Sequence, residues 1–396
     1  MTRGTAFHSR TAQLCEPQNW RRWAGYFVVG SYELAHDREY FAIRNSAALI
    51  DVSPLHKYLL RGPDAVRLLD RVVTRDVAKC AVGQVLYTPW CDEDGKVIDD
   101  GTITRLDEQT FRLTAAEPNL RWLNDNTYGL KNVSIEDVSD TVAALALQGP
   151  LARSILSRVS NINLENLKYF RAMSGEVDGV KVTVSRTGYT GDLGYEIWID
   201  AAEAVTVWDA LIAAGEPYGI TPTGILGLDV ARIEAGLIML DVDYTSAKHA
   251  ITEAQKSSPF ELGLGWAVSF DKGDYVGRRA LMAEKQRGPA WQFVGLDVEW
   301  ESLEKVFGEA GLPVQIPLAA WRSDVPIYSG GRQIGYATSG VWSPLLKKYI
   351  VLAHVESAQA KPGNQVFMEV TVDHRRRLAR AFVTTLPFFD PERKRK

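Results

Sequence analysis

Hydrophobic and polar residues alternate with a period of two over many short stretches of this chain. The alternation predicts strands at 57–60, 97–104, 110–114, 181–185, 196–200, 333–338 and 365–372. Helical spacing is rarer. After Gly62-Pro63 the apolar positions Leu68, Leu69, Val72 and Val73 predict a helix over 64–73, and 150–159 repeats that logic after Gly149. The longest helices are expected at 201–214 and 224–240. From Arg287-Gly288-Pro289 onward, Gly-Gly and Pro-Gly turns separate short strands, which predicts a small barrel. The pattern therefore describes a mixed α+β body followed by an all-β tail.

Within that pattern the block Arg186-Thr187-Gly188-Tyr189-Thr190-Gly191-Asp192-Leu193-Gly194-Tyr195-Glu196 carries the clearest chemistry. A glycine-punctuated turn delivers a tyrosine, then a glutamate at the start of a strand. Alternation puts Glu196 and Trp198 on one face, with Tyr195, Ile197 and Ile199 on the other. A carboxylate beside an aromatic suits a flat heterocycle with adjacent N–H donors, such as a pterin or a guanine. A plain hairpin turn with a solvated glutamate would show the same spacing. A phosphate loop would not, because no Lys-Ser or Lys-Thr pair follows.

The second block is 92–104, where Asp94-Gly95 marks a hairpin. Asp99 and Asp100 are neighbours on the returning strand and must point to opposite faces. Val97 and Ile103 flank Asp99 on its own face and make it the better inward candidate; an inward carboxylate needs partners. The alternative is that both aspartates stand near a solvated rim.

Composition narrows the function classes. The chain has 396 residues, 46% hydrophobic and 24% charged, with a formal net charge of −4. That balance gives no ground for a nucleic-acid or anionic-membrane partner. No apolar run has the length of a membrane span, and residues 1–17 lack the layout of a secretion signal. Cys15, Cys80 and Cys91 form neither a disulfide framework nor a metal pattern, so they read as inert thiols in a reducing cytoplasm. No metal site is expected from the spacing of the six histidines. The basic tail 392–396 is expected to be solvated and mobile.

Set in order, the segments Ile50-Asp51-Val52-Ser53, Val85-Leu86-Tyr87-Thr88, 95–100, Ala146-Leu147-Gln148-Gly149-Pro150, 187–196, Ala231-Arg232-Ile233-Glu234-Ala235-Gly236, Leu264-Gly265-Trp266 and 277–281, with Thr338-Ser339-Gly340 beyond, resemble the aminomethyltransferase family typified by the glycine cleavage T-protein. The resemblance implies a three-lobed body with tetrahydrofolate in a central channel and a small C-terminal β-barrel. It divides the chain into a discontinuous folate-binding lobe (1–53 plus 140–280), a second α+β lobe (54–139) and a barrel lobe (281–396). By position, Glu196 would hold the pterin edge, Tyr189 would line the folate site, and Tyr87 and Trp266 would pack on the cofactor. Asp99, or Asp100 in its place, would stand near the folate nitrogens.

Three departures from the T-protein pattern bear on function. Leu228 stands where an arginine precedes the aspartate, here Asp229. Thr114-Ala115-Ala116 replaces a stretch with an asparagine, leaving only the Thr114 hydroxyl. The segment 236–266 is longer, and carries Asp241, Asp243, Tyr244, Lys248 and His249. That segment's Ser258-Pro259-Phe260-Glu261 and the run Ser53-Pro54-Leu55-His56 look closer to the family's folate-dependent demethylases. His56 is then a candidate substrate contact or proton donor, beside Tyr189.

The resulting expectation is a demethylase that moves a methyl group from a small O-, S- or N-methylated compound to tetrahydrofolate. A T-protein working on a lipoyl carrier protein, and a folate-binding protein without transfer chemistry, are the alternatives.

Overall fold

Three open sheets and a closed barrel carry the chain, and the alternating stretches supply most of their strands. The computed structural model describes residues 2–396. A six-stranded sheet runs in the order Ala172–Val177, Val180–Ser185, Gly194–Asp200, Val142–Gln148, Ala47–Asp51, Ile220–Pro222. One face packs on helices Ala152–Val159 and Ala204–Gly215: Leu145, Leu147, Ile197 and Ile199 share a core with Ile155, Leu156, Trp208 and Leu211. Tyr195 joins that core, while Glu196 and Trp198 turn to the other face, as the alternation requires.

A five-stranded sheet follows the order Val85–Cys91, Val97–Arg105, Thr110–Ala115, His56–Arg61, Ser134–Asp137. Helix Ala65–Val72 covers it, its Leu68, Leu69 and Val72 buried against Leu60, Ile103 and Leu113. The barrel closes through Trp291–Val298, Lys348–Glu356, Arg332–Ser343, Trp321–Ser329, Gln365–Val372 and Arg375–Thr384. A bulge between Ala337 and Ser339 bends the long strand Arg332–Ser343 around it.

Three expectations change. The tail beyond residue 287 is not all β, because helix Trp300–Gly308 feeds Leu303, Val306 and Phe307 into the barrel core. The helix expected over 224–240 spans only Ile225–Glu234. Gly236 stops it: at φ +64° its N–H bonds the Ile233 carbonyl (3.0 Å), and the Leu237 N–H reaches the Arg232 carbonyl (3.0 Å). That paired closure needs a left-handed residue, which glycine adopts without steric cost. Apolar periodicity continued past Gly236 and masked the stop.

The C-terminal tail is docked, although Glu392, Arg393, Arg395 and Lys396 stay exposed as expected. Arg393 donates to both carboxylate oxygens of buried Asp192, at 2.6 and 2.8 Å. Arg186 donates to the carbonyls of Arg393 and Lys394, each at 3.3 Å. The Phe389 N–H bonds the Glu234 carbonyl, and its ring lies 4.5 Å from the Arg44 guanidinium. Basic residues read as solvated by default; these find a buried carboxylate contributed by the 186–196 turn. Cys15, Cys80 and Cys91 are free and buried. Among the described residues no helix is long and apolar enough to cross a membrane.

Candidate functional site

A cavity of about 1640 Å³ opens between the two sheets, the helix Ile225–Glu234, the segment after it and one edge of the barrel. It is lined by residues the sequence singles out and by several it does not.

The turn 187–194 is wrapped around one buried side chain. Gln148 donates to the Thr187 carbonyl (3.2 Å) and accepts from Thr190 (2.8 Å). A Cβ on Gly188 or Gly194 would sit 2.0–2.2 Å from the Gln148 amide, so only glycine admits this close wrap. The glycines thus shape the turn rather than cradle a phosphate.

Glu196 enters the cavity from strand Gly194–Asp200 and accepts a hydrogen bond from Thr187 at 2.5 Å. Burial pushes its carboxyl pKa up; Thr187 and the Arg112 charge pull the other way. Arg112, itself buried, has its guanidinium 4.0 Å from the Trp198 ring centre, and its Nε and Nη2 have no hydrogen-bond partner. Burial pushes the Arg112 pKa down to about 9, which still leaves it charged at neutral pH. Trp198 is buried, its ring is covered by Arg112, and its N–H is spent on Ser185 (3.2 Å). The expected stacking of a heterocycle on Trp198 is therefore not available on that face. The tryptophan instead holds the buried Arg112 guanidinium, whose charge acts on Glu196.

The two aspartates separate as their alternation demands, with roles opposite to the preferred assignment. Asp99 is inward, but toward the core of its own lobe. Its carboxylate accepts from the Asp100 N–H (2.8 Å), the Glu117 N–H (3.1 Å) and the Asn119 amide (2.8 Å), and it does not line the cavity. Burial, then the neighbouring Asp100 charge, push its pKa well up. Asp100 is the aspartate that faces the cavity. Ile103 shares the core-facing side with Asp99, whereas a register slip at Ile98, where Trp90 pairs with Asp99 but Cys91 pairs with Val97, turns Val97 toward a different core. Inward and cavity-facing are different directions in a chain of several lobes.

Asp100 is held by two phenols. Tyr87 donates to one oxygen at 2.7 Å and Tyr244 donates to the other. Burial raises the Asp100 pKa, and these two hydrogen bonds lower it. Thr114 lines the same wall and shares a 2.6 Å hydrogen bond with Thr102. Tyr189 lines the cavity, but its hydroxyl is committed to the Ile238 carbonyl, and burial raises its pKa strongly. His56 also lines it, without a side-chain hydrogen bond among the described residues; burial lowers its pKa below 6.5. At neutral pH it is an uncharged imidazole, so the expected proton-donor role loses its charged form. Tyr87 and Trp266 stack on each other (6.0 Å, 23°), and Trp266 is 63% exposed at the mouth beneath Arg75.

The segment after Gly236 is pinned on three sides. Asp243 accepts from Arg232 (2.5 Å), from Thr338 (2.5 Å) and Ser339 (2.8 Å) of the barrel, and from the Met239 N–H (2.9 Å). His354 bonds the Asp243 carbonyl at 2.7 Å. His249 pairs with Glu117 (2.9 Å) and Lys248 reaches Asn119 (3.4 Å). Sequence reasoning noticed these residues but not their partners, which lie on other lobes. Gln148, Arg112 and Arg322 were missed: an isolated polar residue in a strand carries no local signal.

Comparison with known proteins bears on this arrangement. The GCVT N-terminal domain matches residues 5–272, and the glycine cleavage T-protein C-terminal barrel domain matches 311–390. An aminomethyltransferase of Halothermothrix orenii is 36% identical over 354 residues, 88% of this chain and 90% of that one. One of Bacillus pumilus is 37% identical over 357 residues, 89% of each. A trimethylamine-oxide aldolase of Ruegeria pomeroyi is 34% identical across 100% of this chain, which spans 48% of that larger protein. The solved glycine cleavage system aminomethyltransferase T of Bartonella henselae superposes with a TM-score of 0.82 over 98% of both chains at 24% identity, a likeness of fold.

Proposed function

Because the chain belongs to the aminomethyltransferase family of folate-dependent one-carbon transferases, we propose that it binds tetrahydrofolate in this cavity and demethylates a small methylated onium compound. The observation that carries the reading is Asp100, faced into the cavity and held there by Tyr87 and by Tyr244 of the segment that closes over it. Similarity of the whole chain to about half of the trimethylamine-oxide aldolase, the part it spans, favours a methylated small molecule as the partner.

The donor set fits a tetrahydrofolate. Glu196, kept near a buried guanidinium, is an acceptor for the adjacent N–H groups of a pterin edge. Tyr87, Thr114 and Tyr189 supply the walls, and Trp266 the mouth. Bound tetrahydrofolate would supply a nucleophilic amine nitrogen as methyl acceptor. Asp100 would offset the positive charge that builds on that nitrogen, as a fixed carboxylate in a water-poor chamber does best. Burial raises its pKa, and the two hydroxyl donors act against that in favour of the ionised form.

An onium donor is favoured by the state of the two acid candidates that the sequence offers. Methyl transfer breaks the methyl–heteroatom bond and leaves the electron pair on the departing atom. A methyl ether would depart as an alkoxide or phenoxide and would need a proton at once. Tyr189 spends its proton on Ile238, and His56 is neutral. An ammonium or sulfonium departs as a neutral amine or sulfide and needs none, and the proton that the methylated folate nitrogen would shed passes to the departing amine or to solvent. Aromatic walls and the carboxylates of Asp100, Glu196 and Asp241 suit a cation.

The test is tetrahydrofolate-dependent turnover of pooled onium compounds, methyl ethers and a loaded lipoyl carrier protein, with 5-methyltetrahydrofolate read by mass. Product from the onium pool alone supports the proposal. Product from ethers alone overturns the leaving-group argument. Folate consumed only with the carrier protein assigns the T-protein reaction, and folate bound without turnover in any pool assigns a non-catalytic binder.

A further inference from the structure

Arg322, on barrel strand Trp321–Ser329, reaches the cavity from the side opposite the two sheets. Its Nε donates to Oδ2 of Asp229 at 2.8 Å, and Asp229 is buried. The other oxygen of Asp229 accepts from Arg232 at 2.7 Å, and Arg232 is fixed in turn by Asp243. The anchor of Arg322 is therefore rigid. Its terminal nitrogens, Nη1 and Nη2, make no hydrogen bond among the described residues, and its side chain is 37% exposed.

We propose that Arg322 is a carboxylate-binding residue, its open guanidinium edge receiving either the glutamyl carboxylate of the folate or a carboxylate on the methyl donor. The proposal rests on reading the cavity as the chamber for those two molecules. The four charges Arg322, Asp229, Arg232 and Asp243 balance formally, so Arg322 offers spare donors rather than spare charge. Planar donors oriented by a buried partner are what bidentate carboxylate binding needs. Other cations on the cavity wall are differently placed. Arg75 lies 5.5 Å from the Trp266 ring centre at the mouth. Lys394 is bonded to Asp390 at 2.8 Å. Arg22 has no acidic partner to orient it among the described residues. Of these guanidiniums Arg322 is the one both anchored by a carboxylate and open at its end.

The experiment is calorimetric titration of the full chain, as wild type, Arg322→Gln and Arg322→Lys. Four probes form two pairs: tetrahydrofolate against tetrahydropteroate, which lacks the glutamate, and trimethylglycine against tetramethylammonium, which lacks the carboxylate. A loss of tenfold or more for tetrahydrofolate in Arg322→Gln, with tetrahydropteroate unchanged, assigns the residue to folate. The same loss for trimethylglycine, with tetramethylammonium unchanged, assigns it to the donor. In either case Arg322→Lys recovers part of the affinity, because charge returns without the fork. The proposal is overturned if Arg322→Gln binds all four like wild type, if it loses both members of a pair equally, or if wild type binds neither carboxylate. Tetrahydrofolate and trimethylglycine each bound alike by wild type and Arg322→Gln leave the folate reading standing and remove Arg322 alone. No binding of either folate removes that reading, and the trimethylglycine pair then decides Arg322.

Discussion

Tyr244 donates its hydroxyl to the Asp100 carboxylate across 144 positions of sequence, joining the segment beyond helix Ile225–Glu234 to the cavity wall of the five-stranded sheet. Tyr87 holds the second oxygen from the neighbouring strand. The carboxylate with the central role in the proposed transfer is thus oriented by two lobes at once.

Asp100→Asn should lower kcat by about 10²–10³-fold with little change in folate affinity, since the charge would act only as the acceptor nitrogen becomes positive. Tyr244→Phe should lower kcat by roughly tenfold and leave KM for folate nearly unchanged, the signature of a positioning residue. Asp99→Asn acts differently. It turns one of the two oxygens that serve three N–H groups inside the lobe into an amide donor and should reduce thermal stability before it touches kcat at a temperature where the fold is intact. Steady-state kinetics and melting curves on the same three variants check the division; equal kcat losses for Asp99→Asn and Asp100→Asn at full stability would refute it.

Glu196 makes folate binding pH-dependent. Burial raises its pKa above the ordinary 4.5, and only the ionised form accepts both donors of a pterin edge. Affinity should therefore fall by about tenfold per pH unit once the pH drops below that raised value. In Glu196→Gln the titration should be weak and flat. Stability runs the other way: a carboxyl with a raised folded pKa contributes its stability below 4.5, and that contribution is lost as pH rises through the folded value. Calorimetric titration from pH 8 to 5 reads the first effect and urea unfolding the second.

The fold was legible where pattern and packing agree. Tyr195, Ile197 and Ile199 alternate in sequence and sit in one core, and strand Gln365–Val372 has the limits its alternation implies. The candidate site was legible in residue type more than in direction. Glu196, Tyr87, Thr114, Tyr189 and His56 all line the cavity, yet Asp99 took the place of Asp100 because a two-residue period separates the two faces without telling which of them meets the core and which the cavity. Partners contributed by distant segments were not legible at all. Arg393 looks like a solvated tail residue until Asp192 is placed beneath it, and Arg322 looks like any polar residue of a barrel strand until Asp229 anchors it.

Arg393 latches the tail to the glycine turn. Arg393→Ala leaves buried Asp192 with the Leu193 N–H at 2.8 Å and, as its one charged partner, Arg44 at 3.4 Å, whose guanidinium is mainly engaged with Glu234 at 2.6 Å. We expect a loss of about 1–3 kcal/mol in urea unfolding, recovered in part by Arg393→Lys. Truncation after Leu386 should cost at least as much, since it also removes Phe389 from Arg44. An unchanged unfolding midpoint for both would mean the tail is not bound in solution.

Asp243 ties the barrel to the site, and its loss should be felt in both. It is buried, and it takes donors from Arg232 on the helix and from Thr338 and Ser339 on the barrel. Asp243→Ala strands the Arg232 guanidinium, whose Nη2 already lacks a partner, with Asp229 alone. Breaking one side of a buried pair costs about 3–5 kcal/mol. Tyr244 follows Asp243 directly, so the change should also loosen the hydrogen bond to Asp100 and depress kcat in whatever fraction remains folded. Asp243→Asn, which keeps one acceptor oxygen for the two hydroxyls, should lose less of each. Unfolding free energy and kcat should fall together across the three proteins; a stability loss with kcat per folded molecule unchanged would show that the clasp holds the barrel without orienting Asp100.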